Sequence, residues 1–190
     1  MTTRKLLGRG ATISLAALFL GCGDPEASPP NAAFEINIAG PSCQVTANSS
    51  VAPAQNPLVS QGMLENIMRS SAGDINCSVS DNGDTTFTFN GSFRATLDSG
   101  VEVELRVTNG AAMSPNGNDG TGTARLTMQR TSNPMYSLQS PADMPCTLTI
   151  RAVTAGGVWA EYSCTALQDS ATPGATCTGN GAFVFNNCGT

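Results

Sequence analysis

Apolar residues recur at every second position through the middle of this chain. From Ile75 they take the odd positions: Ile75, Cys77, Val79, Phe87, Phe89, Phe93, Ala95, Leu97, Val101, Val103, Leu105 and Val107. Asn76, Ser78, Thr86, Thr88, Arg94, Thr96, Glu102, Glu104 and Arg106 fill the even ones. A helix cannot produce a period of two, whereas an antiparallel strand with one face on a core and one in water does. Asp98-Ser99-Gly100 reads as a three-residue hairpin loop, with Gly at the place that needs positive φ. That loop sets Leu97 opposite Val101, Ala95 opposite Val103 and Phe93 opposite Leu105 on the inner side. It also sets Arg94 opposite Glu104 on the outer side. Glu102 and Glu104 therefore read as a solvated face rather than a working carboxylate pair.

The phase then moves to even positions: Ala124, Leu126 and Met128; Cys146, Leu148, Ile150 and Ala152; Val158, Ala160, Tyr162 and Cys164. Ala155-Gly156-Gly157 joins the last two of these strands into a hairpin. Ala182-Phe183-Val184-Phe185 is apolar on both faces and predicts a central or covered strand. Earlier strands are expected over Phe34–Ala39 and Cys43–Ala47, and one short helical stretch over Met63–Ser70. Asn-Gly pairs beginning at Asn82, Asn90, Asn109, Asn116 and Asn180 mark turns or bulges. Short strands with dense turn signals and several cysteines predict an all-β fold, an antiparallel β-sandwich cross-linked by disulfides. A flattened β-barrel is the second architecture this pattern admits.

The N-terminus departs from that pattern. Arg4, Lys5 and Arg9 precede an apolar core from about Ala11 to Leu20, which ends at Gly21-Cys22. A basic start, a short apolar core and a small residue before the cut make a secretory signal, well short of the ~20 residues that span a bilayer. Leu18-Phe19-Leu20-Gly21-Cys22 resembles the lipobox of bacterial lipoproteins; Gly21 and Cys22 match it, while Phe19 and Leu20 stand where that family usually has Leu and a small residue. The resemblance covers residues 1–22 only. It implies cleavage before Cys22 and lipidation of Cys22, and Gly23 rather than Asp after the cysteine implies outer-membrane delivery. Ordinary cleavage, leaving a secreted or periplasmic soluble protein, is the other reading. The expected organisation is a signal peptide over 1–21, a lipidated cysteine with a proline-rich linker over 22–33, and a single β-sandwich domain over 34–190.

Composition narrows the function. Of nine Lys and Arg, three lie in the signal; six arginines then face fourteen Asp and Glu, a net charge of −8 after cleavage. No lysine remains, and the sequence contains no histidine. A domain so acidic, without a basic stripe, is not expected to bind nucleic acid or to seek an anionic membrane by charge. Its expected partners are the membrane, through the lipid, and an envelope protein or a glycan.

Removing Cys22 leaves six cysteines: Cys43, Cys77, Cys146, Cys164, Cys177 and Cys188. An even number in an exported chain predicts three disulfides among fifteen pairings. Cys43 with Cys77 is the expected first bridge, since both fall on core-facing positions of early strands. Cys146–Cys188 with Cys164–Cys177 is preferred over Cys146–Cys164 with Cys177–Cys188, because opposed cysteines in one tight hairpin strain the bond. No C-x-x-C spacing and no histidine are present to hold a metal, so neither a metal site nor any cofactor is expected.

Candidate chemistry is thin. Trp159, the one tryptophan, points outward beside Glu161 if Val158, Ala160 and Tyr162 point inward. Trp159 and Glu161 are the candidate ligand-binding residues for a sugar or another small ligand, with the indole as stacking platform, unless a Cys164–Cys177 loop covers it. Asn116-Gly117-Asn118-Asp119-Gly120 resembles the start of a calcium loop, but Leu126 stands where a bidentate Glu is required. No catalytic residue is assigned. A Ser–His–Asp triad is impossible without histidine, and only a carboxylate-based hydrolase stays open. Asp74, Asp81, Asp84, Asp98, Asp119 and Asp143 mostly fall in turn-like sequence, where Asp serves the backbone. The expected role is non-enzymatic.

Overall fold

The computed structural model describes residues 30–40, 43, 47–51, 74–96, 100–113, 119–131, 135–170, 172 and 174–189. Cys22 and the stretch Met63–Ser70 lie outside them. Ten strands follow in order: β1 (Asn31–Ala39), β2 (Ala47–Val51), β3 (Asp74–Asp81), β4 (Thr86–Thr96), β5 (Glu102–Met113), β6 (Gly120–Arg130), β7 (Tyr136–Gln139), β8 (Cys146–Thr154), β9 (Gly157–Asp169) and β10 (Thr176–Asn186). They form one antiparallel sheet in the order β2-β1-β10-β9-β7-β6-β5-β4-β3. Strand β8 shares the slot of β7: β7 pairs with the C-terminal half of β6 and β8 with its N-terminal half, and both pair with β9.

The sheet curls until its two ends oppose each other. Phe34 of β1 meets Phe93 of β4 edge-on at 5.4 Å, and Phe89 of β4 lies 6.1 Å from Phe183 of β10. These pairs join strands far apart in sheet order, so the inner faces pack as the two layers of a sandwich around one core. The sheet is not a closed barrel. Its edge strand β3 meets the chain beyond β10 through an isolated parallel bridge, Ser78 with Gly189, and the Cys77–Cys188 disulfide rather than through a strand ladder.

The alternation sets which side chains enter the core. Phe93, Ala95, Val103, Leu105 and Val107 are buried, as are Ala124, Leu126, Met128, Cys146, Leu148 and Ile150. The predicted hairpin register holds: Phe93 faces Leu105, Arg94 faces Glu104 and Ala95 faces Val103. The partner pair Leu97 and Val101 cannot be followed, since Leu97 lies outside the described residues. Strand β10 is central, flanked by β1 and β9, as its two apolar faces require. The second strand starts at Ala47, not at Cys43.

The Asn-Gly pairs split by context. Asn90-Gly91 and Asn109-Gly110 lie at register shifts in the β4–β5 and β5–β6 ladders, and the Asn109 amide donates to Asn90 Oδ1 at 3.0 Å. Asn180-Gly181, by contrast, sits within regular β10. Tyr162, opposite Gly181 on β9, donates its hydroxyl to Glu35 O at 3.0 Å. A Cβ on Gly181 would stand 2.8 Å from that hydroxyl. Burial holds the Tyr162 phenol well above its ordinary range, so it acts here as a donor.

Three disulfides staple the sandwich: Cys43–Cys177, Cys77–Cys188 and Cys146–Cys164. Such cross-linking belongs to an oxidising, extracytoplasmic compartment. The expected Cys43–Cys77 bridge is corrected. Cys43 follows β1, which neighbours β10, while Cys77 lies on the far edge strand β3. Cys146–Cys188 and Cys164–Cys177 are corrected as well, and Cys177–Cys188 does not form. Cys146 and Cys164 stand opposite each other on β8 and β9 with Cα atoms 4.3 Å apart, close to the ~4.5 Å of a non-hydrogen-bonded antiparallel pair. Far from the two-residue turn, the ladder itself brings these cysteines into bonding range.

Two outcomes test this account. The Cys77–Cys188 bridge spans 111 residues and Cys146–Cys164 spans 18. Loops of about 100 and about 15 residues are worth about 4.7 and about 3 kcal/mol through unfolded-state entropy. Replacing Cys77 and Cys188 by Ala should therefore lower the urea-unfolding free energy by about 1–2 kcal/mol more than replacing Cys146 and Cys164; equal losses would contradict it. Second, a Cβ on Gly91 would lie 2.6 Å from Phe185 Cζ in the closed core. Gly91→Ala should cost about 1–3 kcal/mol, read as a lower melting temperature.

Candidate functional site

Trp159 lies on the outer face of the layer formed by β1, β10 and β9. The ladders place Ala33 opposite Val184 and Val184 opposite Trp159, and the three pack into a small apolar cluster of their own. The indole is half-buried, and its Nε1 is shielded from solvent with no partner among the described residues. No Cys164–Cys177 loop exists to cover it; the neighbouring strands supply its contacts instead. Glu161, two residues on, is bound by Arg151, whose Nε and Nη2 donate to Glu161 Oε1 at 3.0 and 2.9 Å. Arg151 occupies the bulge between Ile150 and Ala152 and also pairs with Asp119. The hydrogen bonds it donates to Asp119, and then to Glu161, raise its guanidinium pKa above the ordinary value. Of the calcium-loop resemblance, Asn116 to Asn118 lie outside the described residues, and the Asp119 carboxylate is engaged by an arginine.

The acidic side chains are spread out. Asp81 Oδ1 accepts the Gly83 amide at 2.8 Å and Asp84 takes a positive φ of 51°, so both serve the β3–β4 turn. Glu102 is exposed, but the expected solvated face fails at Glu104, which is only 8% exposed. Arg94 Nη2 reaches Glu104 Oε2 at 3.0 Å and Arg106 Nη2 reaches Oε1 at 2.9 Å. Two long side chains folded over one carboxylate keep water from it. Among the described residues, no group of three or more Cys, Asp and Glu gathers in a way that could hold a metal ion.

A wide concavity lies on the opposite layer from Trp159. It is a groove of about 780 Å³ whose floor is the outer face of β5, β6 and β7. One wall is the β7–β8 connection from Ser140 to Asp143; the other is made by Gln168, Asp169, Ser170 and Gly174. The floor follows from the same period of two. With Leu126, Met128 and Leu138 turned inward, Arg125, Thr127, Gln129, Ser137 and Gln139 turn out. Arg106, Thr127, Gln139 and Gln168 stand in one row across β5, β6, β7 and β9. At about 4.8 Å per strand, this row runs about 14 Å.

Ser140 anchors the nearer wall. It is fully buried; its amide donates to Leu126 O at 2.9 Å, and its Oγ accepts the Leu126 amide at 2.9 Å. The side chain thus completes a backbone pairing just where β7 ends and the chain must leave for β8.

Charge in the groove is uneven. Arg106 is paired with Glu104, whereas Arg125 makes no hydrogen bond or ion pair among the described residues, and its Nε is shielded from solvent. Arg125 and Thr127 stand two apart on β6, and Thr127 faces Arg106, so the two arginines are diagonal neighbours on one face. Asp143 and Asp169 line the same groove. Sequence reasoning missed this site because each of its residues reads alone as an ordinary solvent-facing position. The one available signal was the absence of apolar residues from the outer set Arg125, Thr127, Gln129, Ser137 and Gln139.

Ser140→Ala would leave the buried Leu126 amide without its acceptor, a loss of about 1–3 kcal/mol. A urea melt should show that loss, and amide exchange at Leu126 should quicken; an unchanged melt would remove Ser140 from this role. No protein-family model matches the chain, and comparison with curated proteins and with solved structures returns no match, so the groove's use has to be read from its own chemistry.

Proposed function

We propose that this chain is exported, cut before Cys22 and held by lipid on that cysteine at the outer membrane, where its β-sandwich serves as a non-enzymatic structural or interaction module of the cell envelope. The observation that carries the reading is the agreement between two distant parts of the chain. Leu18–Cys22 resembles a lipobox, and setting Cys22 aside leaves six cysteines that all pair. Two or more acyl chains hold a protein stably on a bilayer, at roughly 0.8 kcal/mol per buried methylene. The stretch Gly23–Pro30, with Pro25, Pro29 and Pro30, then spaces the sandwich from the surface as a stiffened linker.

Intact mass of the protein recovered from membranes tests this directly. The expected mass is that of a chain starting at Cys22 plus acyl groups, with six alkyl additions only after reduction. Cys22→Ala should move the protein from the membrane fraction to the soluble one. A mature chain of unmodified mass would refute the anchor, and alkylation before reduction would refute the fully bridged domain.

A further inference from the structure

We propose that the groove over β5, β6 and β7 binds an acidic saccharide, with a sugar carboxylate on Arg125 and sugar hydroxyls on the amide row that ends at Gln139 and Gln168. The proposal deepens the interaction role above. It rests on the extracytoplasmic location given by the disulfides and does not need the lipid.

Arg125 is the first reason. A guanidinium beside a second arginine, with its Nε turned away from water and no partner among the described residues, is a costly arrangement in the free protein. Arg106 already has Glu104, so Arg125 is the arginine left to meet an incoming anion. Its planar fork suits a carboxylate, which it can hold through two parallel hydrogen bonds.

The second reason is the shape and chemistry of what surrounds it. A groove of about 780 Å³ falls among sites that take ligands of drug size, far more than a single ion needs. Away from the arginines its floor offers Gln129, Ser137, Gln139 and Gln168, side chains that both donate and accept. A polyhydroxylated chain matches that surface. Among the described residues no aromatic ring lines the groove, so its chemistry favours charge and hydrogen bonds over stacking on a sugar face. Asp143 and Asp169 can accept hydroxyl protons, but they disfavour a densely charged polyanion; a saccharide with well-spaced carboxylates fits better.

An acidic peptide fits poorly. Peptides commonly add to an open strand edge or set apolar side chains into pockets. Strands β5 and β6 are paired on both sides, and the groove floor presents polar side chains.

Titration calorimetry on the disulfide-intact chain tests the proposal, with oligogalacturonate and a hyaluronate fragment as acidic probes. The methyl ester of the first serves as its neutral counterpart, and inorganic phosphate as the bare anion. At least one acidic probe should bind saturably, more weakly as salt rises, and about tenfold or more tighter than the ester. Arg125→Gln should lose about tenfold in affinity with a melting temperature that does not fall, and Trp159→Phe should bind as the parent does. Gln139→Ala with Gln168→Ala should weaken the saccharide while leaving phosphate unaffected. Phosphate binding as tightly as the saccharide, equal binding of acid and ester, undiminished binding by Arg125→Gln, or no binding of either acidic probe at millimolar concentration would each overturn the proposal. None of these outcomes bears on the mass of the membrane form, so the two readings fail separately.

Discussion

Strand β10 is the element on which the other parts of the sandwich depend. It is hydrogen-bonded on both edges, to β1 over nine residue pairs and to β9 over nearly its whole length. Its inner face carries Phe183 and Phe185, which sit against Phe89 and over Gly91 of the opposing layer. Its outer face carries Val184, held between Ala33 and Trp159. Being the last strand, β10 can take this central place only after β1 and β9 exist. Its pairing with β1 therefore joins the two ends of the described chain, the class of pairing that folds slowly.

The disulfides are arranged around that constraint. Cys177 at the start of β10 is tied to Cys43 just after β1, and Cys188 beyond its end is tied to Cys77 on β3. Both bridges close loops of more than a hundred residues, and one stands at each end of the strand. The second also brings Gly189 beside β3, where it accepts the Val79 amide at 3.1 Å and covers part of an otherwise bare edge. Cross-links placed there offset the entropy of a long-range pairing that short hairpins never incur.

The sequence is most legible where the physics is local. Arg94 opposite Glu104 could be registered because one loop, Asp98-Ser99-Gly100, determines the pairing of both strands. The double-sided apolarity of Ala182–Phe185 likewise marks a central strand, since burial on two faces writes itself into composition. Cys43 and Cys177 show the limit. A period of two tells which face a cysteine occupies, but its partner depends on strand order, and nothing near Cys43 says that the C-terminal strand lies next to β1. The same limit applies to Glu104. Its exposure depends on where Arg94 and Arg106 lay their side chains, not on the face it occupies.

The groove illustrates a further kind of information that alternation cannot hold. It exists because β7 is only four residues long and gives up its place beside β6 to β8, leaving the chain between Ser140 and Cys146 to stand off the sheet as a wall. Pro141 and Pro145 suit that departure, since neither can donate to a ladder. A single long strand in the same slot would leave a flat polar face like any other. The break between two short strands makes the recess, and the buried pairing of Ser140 with Leu126 holds the break in register. In this domain the capacity to bind thus follows from an interruption of the sheet, on a floor whose chemistry the regular alternation had already supplied.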